Sequence, residues 1–263
     1  MTALRWAVTD TWTMTTRNLE HWLRQPGPVL VNLLFPVLTV LMFGYLLGGG
    51  MAVPGGGSYR EFLVPGMFAM AMLFGLETTM TAVATDAARG VTDRFRAMPM
   101  ATGAVVAGRG LADLLNSVAG LAIMLACGLA VGWRWHAGLG RAALAAGLLL
   151  LLRLALIWAG IWLGLVVKGP ESVAIVQILV WPLGFLSSAF VSPGTMPGWL
   201  GAIAAWNPLS ATASATRELF GNPTGITEGP LADGAVWLAV GWPLLLTAVF
   251  LPLSARAYRK LRI

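Results

Sequence analysis

Apolar residues in this chain neither alternate with polar ones nor keep to one stripe of a helix. They run together. Unbroken apolar runs of about 20 residues cross a bilayer as helices, and six are read at about 29–47, 62–85, 110–131, 142–167, 172–191 and 234–254. The first, fifth and sixth carry no charge; the second holds Glu77, the third Asp113 near its start, the fourth Arg153 near its middle. Runs without alternation predict helices, not the strands of a barrel. The first run starts too late, is too long and lacks a small-residue cleavage site for a removed signal peptide, so it is read as a retained helix.

The segments between the runs are patterned too. In residues 1–28, Leu4, Val8, Trp12, Leu19, Trp22 and Leu23 recur near helical spacing beside Arg17, Glu20 and Arg24. That predicts an amphipathic helix lying in the cytoplasmic interface with its tryptophans at headgroup depth. Residues 86–109 are dense in charge. A short helix is expected over 86–98, because Pro99 ends it. Asp86, Arg89, Asp93, Arg94 and Arg96 would flank Phe95 and Met98. An aromatic among arginines suits docking to another protein; an ordinary positively charged loop is the plain alternative. Residues 192–233 are too apolar for a free external loop. Two short helices are expected, near 196–203 with Trp199 and over 208–220 with Arg217 and Glu218, separated by Asn207-Pro208-Leu209-Ser210. Each is too short to span, which predicts a re-entrant or interfacial hairpin packed on protein. Gly221-Asn222-Pro223-Thr224-Gly225 then turns the chain back. No internal repeat is visible.

Composition narrows the class. Of 263 residues 57% are hydrophobic and 11% charged, with mean hydropathy +0.77. A soluble enzyme or a disordered chain is excluded, since so few charges cannot clothe so much apolar surface. The net charge is +6. Its distribution points to the membrane, not to nucleic acid. One side receives Arg5, Arg17, Arg24, Arg89, Arg94, Arg96, Arg109, Lys168, Arg256, Arg259, Lys260 and Arg262; the other receives Arg60, Arg134, Arg141 and Arg217. Twelve against four puts both termini in the cytoplasm, with 255–263 as a basic tail. The only lysines are Lys168 and Lys260, and neither precedes Ser or Thr, so the chain has no Walker A loop for ATP. The single Cys127 forms no internal disulfide. His21 and His136 stand apart, without HExxH or CxxC, so no metal centre is expected.

The intramembrane charges call for an explanation. Each costs at least about 2.5–3.5 kcal/mol at the bilayer centre, so each should face protein and find a partner. Arg153 is a candidate partner for Glu77, within one chain or across two. Asp113 is near enough to the interface to be solvated, or to pair with Arg109 one turn away. Such a pair is either structural, or a polar point on a substrate path or gate. Gly128-x-x-x-Gly132 and Gly160-x-x-x-Gly164 permit close helix approach, though such spacings arise readily in a glycine-rich chain. Trp158, Trp162 and Trp181 are read as core packing.

Taken together, Asp93-Arg94-Phe95-Arg96-Ala97-Met98-Pro99-Met100 with Gly108-Arg109, and Asn207-Pro208-Leu209-Ser210 with Arg217-Glu218, resemble the ABC-2 permeases. These are membrane subunits of type-2 ABC exporters, and the likeness is to the daunorubicin-resistance type. It covers nearly the whole chain. The resemblance implies an all-α integral membrane protein with six transmembrane helices, an N-terminal interfacial helix, a cytoplasmic coupling helix at 86–100 and an external re-entrant hairpin. It implies pairing with a second permease copy or a related permease. It also implies docking of a separate ATPase subunit, which would bind the ATP and Mg; no cofactor is expected in this chain. The implied setting is a bacterial cytoplasmic membrane, and the implied cargo an amphipathic or hydrophobic small molecule. The competing readings are a stand-alone ion- or proton-coupled carrier using Glu77 and Arg153, and an intramembrane enzyme, for which Ser187 and Ser188 lack a base on their own helix.

Overall fold

The computed structural model describes residues 2–24, 27–47, 53–91, 102–167, 169–226 and 228–260. The stretch 92–101 lies outside them, and with it Asp93, Arg94, Phe95, Arg96, Met98 and Pro99. The elements are α1 (Thr2–Arg24), α2 (Gly27–Met42) with a π-turn (Phe43–Leu47), α3 (Tyr59–Ala88), α4 (Thr102–Ala130), α5 (Leu139–Val166), α6 (Gly169–Phe185), a 3-10 turn (Pro193–Thr195), α7 (Gly198–Trp206), α8 (Pro208–Phe220) and α9 (Pro230–Lys260). No strand occurs among the described residues. Four helices, α3, α4, α5 and α9, are long and apolar enough to cross a membrane by themselves; α2 and α6 contain shorter apolar segments. The protein is a multi-pass, all-helical membrane protein.

α3 is the axis. It touches α2, α4, α5, α6 and α8, and from Tyr59 to Met80 most of its residues are buried. Small residues set how closely its neighbours approach. A Cβ at Gly160 of α5 would stand 2.9 Å from the Leu76 carbonyl oxygen, and one at Gly164 would stand 2.6 Å from that of Met80. The Gly160-x-x-x-Gly164 pair is therefore the α3–α5 contact, where backbone meets backbone. Gly128 of α4 packs on the side chains of Val64 and Phe68, whereas Gly132 follows the end of its helix in open space at φ +98°. These contacts, with Gly184 of α6 on Met70, fix directions: α5 runs parallel to α3, while α4 and α6 run antiparallel. One end of the bundle carries the hairpin of α7 and α8; the other carries the loop between α3 and α4.

Several element ends differ from the sequence expectation. α3 continues through Asp86 to Ala88, because Thr-Ala-Val-Ala-Thr-Asp-Ala-Ala has no breaker. It closes on Arg89, whose N–H reaches the Thr85 carbonyl, and on Gly90 at φ +67°. Asp86 and Arg89 thus belong to the end of this helix, not to a separate one. α4 begins at Thr102, which places Asp113 well inside it. α6 stops at Phe185, not near 191. Pro182 withdraws an N–H, and the Asn207 amide nitrogen takes the Leu183 and Leu186 carbonyls, at 2.8 and 2.7 Å. α9 carries residues 255–260 of the basic tail as helix, with a kink at Gly234.

The α3–α5 contact yields a stability prediction. Gly164→Val should lower the stability of the detergent-purified chain by about 1–3 kcal/mol through overpacking. Gly147→Ala, on the same helix with nothing within 4 Å of the added methyl, should raise it by about 0.5–1 kcal/mol. Melting temperatures in the reverse order would contradict this packing.

Candidate functional site

Arg153 is 3% exposed and sits where α3, α4 and α5 meet. Its Nη2 donates to Thr79 Oγ1 and its Nε to Ser117 Oγ, both at 2.8 Å. Thr79 Oγ1 passes its own proton to Asp113 Oδ2 at 2.6 Å, and Ser117 Oγ donates to the Asp113 carbonyl at 2.7 Å. Gly75 makes the space, since a Cβ there would stand 2.7 Å from the guanidinium carbon. Nη1 is buried without a hydrogen-bond partner among the described residues. Gly75 and Thr79 are one turn apart on α3, and Asp113 and Ser117 one turn apart on α4, so each helix offers one face to the same side chain. This spacing was the signal in the sequence for the node.

Asp113 has a second cation. Its Oδ1 lies 3.1 Å from Arg109 Nε, the one-turn pair that the sequence offers. Arg109 also reaches Asp86 in the last turn of α3, at 3.8 Å. Beside this pair α1 crosses α4 at Gly108, where a Cβ would stand 2.6 Å from that of Met14; Thr15 donates to the Gly108 carbonyl at 3.2 Å. Trp6, Val8 and Trp12 of α1 remain exposed.

Glu77 does not meet Arg153 in this chain. It is two residues from both Gly75 and Thr79, about 200° around the helix, on the opposite side of α3. That side also carries Phe74, Thr78 and Thr81. Thr81 Oγ1 accepts from Gln177 of α6 at 3.3 Å, and Phe74 and Trp181 stand 5.0 Å apart with Phe35 against both. Glu77 is half-buried, and its Oε1 has no hydrogen-bond partner among the described residues.

At the hairpin end Arg217 is fully buried, not solvated on the outside as its place in the loop suggests. Its Nε donates to the Phe62 carbonyl at 2.7 Å, and its Nη2 donates to those of Ser188 and Ala189 at 2.8 and 3.0 Å. The guanidinium stacks 3.6 Å from the Phe62 ring centroid. Gly66 leaves room for it: a Cβ there would lie 2.8 Å from Nη2. Arg217 thus takes up the carbonyls exposed where the chain leaves α6 and ties that break to α3. Asn207 caps α8, its Oδ1 accepting from the Leu209 N–H at 2.8 Å, with Pro208 at the first helical position. Glu218 and Trp199 are exposed.

Residues that the sequence reading passed over close this end. Trp133, fully buried, donates from Nε1 to Asn222 Oδ1 at 2.8 Å, and the Asn222 amide donates to the Arg134 carbonyl. The His136 and Ala137 N–H groups cap the Phe220 carbonyl. His136 itself bonds Glu61 at 2.8 Å. Ser188 is held by Ser210, Ser214 and Arg217, a structural setting with no base among the described residues. Among the described residues no group of three or more His, Cys, Asp or Glu could hold a metal.

Comparison with known proteins gives these features a context. Residues 9–220 match the ABC-2 type transporter family. The chain is 35% identical over 254 residues to the daunorubicin resistance ABC transporter permease protein DrrB1 of Streptomyces coeruleorubidus, covering 96% of this chain and 87% of that one. It is 26% identical over 248 residues to the probable doxorubicin resistance ABC transporter permease protein DrrC of Mycobacterium tuberculosis, covering 90% and 85%.

The Arg217 clamp can be tested by removing its donors. In Arg217→Met the Ser188 and Ala189 carbonyls lose their guanidinium, at a cost of about 1–3 kcal/mol for each group left unpaired. Arg217→Lys keeps the charge but not the fork. The melting temperature of the purified chain should fall in the order wild type, Lys, Met. A Met variant as stable as wild type would show that the clamp contributes nothing.

Proposed function

The chain belongs to the ABC-2 type transporter family, and from that membership we propose that it is the membrane-spanning permease subunit of an ABC exporter. It would move an amphipathic or hydrophobic small molecule out of the cytoplasm, using ATP and Mg bound by a separate ATPase subunit. The observation that carries this reading is the 35% identity, along nearly the whole of both chains, to a drug-resistance permease. The lack of a Walker A loop agrees with that division of labour.

In this reading α2 with its π-turn, α3, α4, α5, α6 and α9 are the six crossings, and both termini are cytoplasmic. α1 lies in the cytoplasmic interface, its exposed tryptophans at headgroup depth. The stretch 86–100 docks on the ATPase, with Arg94 and Phe95 as its contact. The α7–α8 hairpin re-enters from outside and closes that end of the path. A second permease, identical or related, completes the transporter. Rows of exposed apolar side chains, Leu34, Leu38 and Leu41 on α2 and Ile175, Leu179 and Leu183 on α6, face lipid or that partner. The path runs along the side of α3 that bears Phe74, Glu77 and Thr81, opposite the Arg153 node. ATP-driven closure of the ATPase pair shifts the population of inward- and outward-open states, and the permease forms no covalent bond with its cargo.

Glu77 supports one other reading, a gradient-driven carrier, because a carboxylate oxygen buried without a partner is suited to taking a proton. Affinity purification from native membranes separates the two. A permease should bring down a Walker A ATPase in stoichiometric amount, and Arg94→Ala with Phe95→Ala should lose it while the chain still inserts. A folded chain that purifies alone, and whose transport stops when the ion gradient is collapsed, would establish the carrier. Glu77→Gln should reduce transport at least tenfold in the carrier and alter only its specificity or rate in the exporter; flux equal to wild type would remove Glu77 from both.

A further inference from the structure

We propose that Arg109 and Asp113 are positioning residues that carry a displacement of the 92–101 stretch to the Arg153 node inside the bundle. The proposal rests on the reading of that stretch as the ATPase-docking element. Its two flanks are tied together: Asp86 precedes it at the end of α3, Arg109 follows it in α4, and the two side chains stand 3.8 Å apart. That separation is too long for a made hydrogen bond, so the pair has room to tighten or part. A cleft lined by Arg17, Asn18, Asp86, Arg109 and Tyr258 gives the guanidinium space to move. α1 bears on the same point through the Thr15 contact at Gly108.

Asp113 then divides its two oxygens between two cations. Oδ1 faces Arg109 at 3.1 Å, and Oδ2 accepts from Thr79, whose oxygen accepts from Arg153. Arg153 has no carboxylate of its own among the described residues, and its Nη1 has no partner. Drawing Arg109 toward Asp86 leaves the Asp113 charge to Arg153. Drawing it back shares that charge. In a site of low dielectric these two sharings of the charge differ strongly in energy. There is no slack to absorb the difference, because the guanidinium already fills the space above Gly75. A shift of Asp113 is therefore passed to Thr79 and Arg153, and through them to the α3–α5 contact. Arg109, Asp113, Thr79 and Arg153 thus form one contiguous network along which coupling can travel.

The test uses the intact permease–ATPase complex in lipid vesicles and reads ATP turnover per bound ATPase subunit, with doxorubicin moved per ATP as a second reading. Thr79→Val removes one buried hydroxyl, touches neither the loop nor the ATPase, and stands in if Asp113→Asn fails to assemble. Thr79→Val, Asp113→Asn and Arg109→Gln should each change turnover per bound ATPase at least threefold, in the same direction. Arg109→Gln with Thr79→Val should go no further than the larger single change, as members of one unit do. A merely structural role would lose complexes while the survivors kept wild-type turnover; that result, or additive effects in the double variant, would overturn the proposal. Arg94→Ala with Phe95→Ala is measured in parallel. A complex that stays assembled and coupled in that variant refutes the docking reading itself, independently of how the Thr79 variant behaves.

Discussion

A guanidinium buried in an apolar bundle must give its N–H groups to oxygen, and two such side chains organise this structure. Arg153 and Arg217 both close on α3, at different levels, and each does so where α3 has a glycine, Gly75 and Gly66. Their partners differ in kind. Arg217 is met by carbonyls, the Ser188 hydroxyl and an aromatic face, with no carboxylate among its hydrogen bonds within the described residues. Arg153 is met by hydroxyls that lead to Asp113. The first arrangement has only dipoles to offer and holds the hairpin as a fixed part of the core. The second shares the Asp113 charge with Arg109 in the first turns of α4.

The hairpin end depends on a related solution. α8 reads Pro-Leu-Ser-Ala-Thr-Ala-Ser-Ala-Thr-Arg, rich in hydroxyls, yet residues 209–217 are buried throughout. It can be buried because its hydroxyls have partners. Thr212 and Thr216 bond back to carbonyls one turn earlier, Ser210 accepts from the Ser188 N–H, and the alanines between them let neighbouring helices close in. Backbone that leaves a helix inside a packed bundle needs such bonds for its freed polar groups. Asn207 and Arg217 supply them at both sides of the α6 break.

How much of this could be read beforehand follows from what each signal measures. The long apolar runs and the all-helical class were legible because burial in lipid leaves a mark on every residue of a run. Glycine spacing was legible but ambiguous: Gly160 and Gly164 mark a true backbone contact, Gly132 does not, and only the neighbour across the gap decides. The Arg153 partnership was not legible as a pair. Charge alone suggests Glu77, but helical phase places Glu77 on the far side of α3 and Thr79 on the near one. Hydroxyls intervene between Arg153 and Asp113, and a search for opposite charges overlooks them. Arg217 was assigned to the outside because its segment is too short to cross; that its side chain turns inward depends on the end of α6 at Phe185, where Pro182 weakens the helix but does not say which side chain takes up the freed carbonyls.

The placement of polar groups around α3 also divides the labour of the protein. One side of the helix, from Gly75 through Thr79 to Met80, is locked to α4 and α5 by a polar node and by backbone contact. The other side, from Phe74 through Glu77 to Thr81, meets α2 and α6 through aromatic edges and one long hydrogen bond. The hydrogen bonds of the node are costly to open, because each leaves a buried polar group or a charge unpaired. Contacts of the second kind are dispersive and tolerate sliding. The contacts of α2 and α6 on α3 are therefore the weaker seam of the bundle. A cargo that met Glu77 would sit at that seam, where the structure has the least to lose by opening.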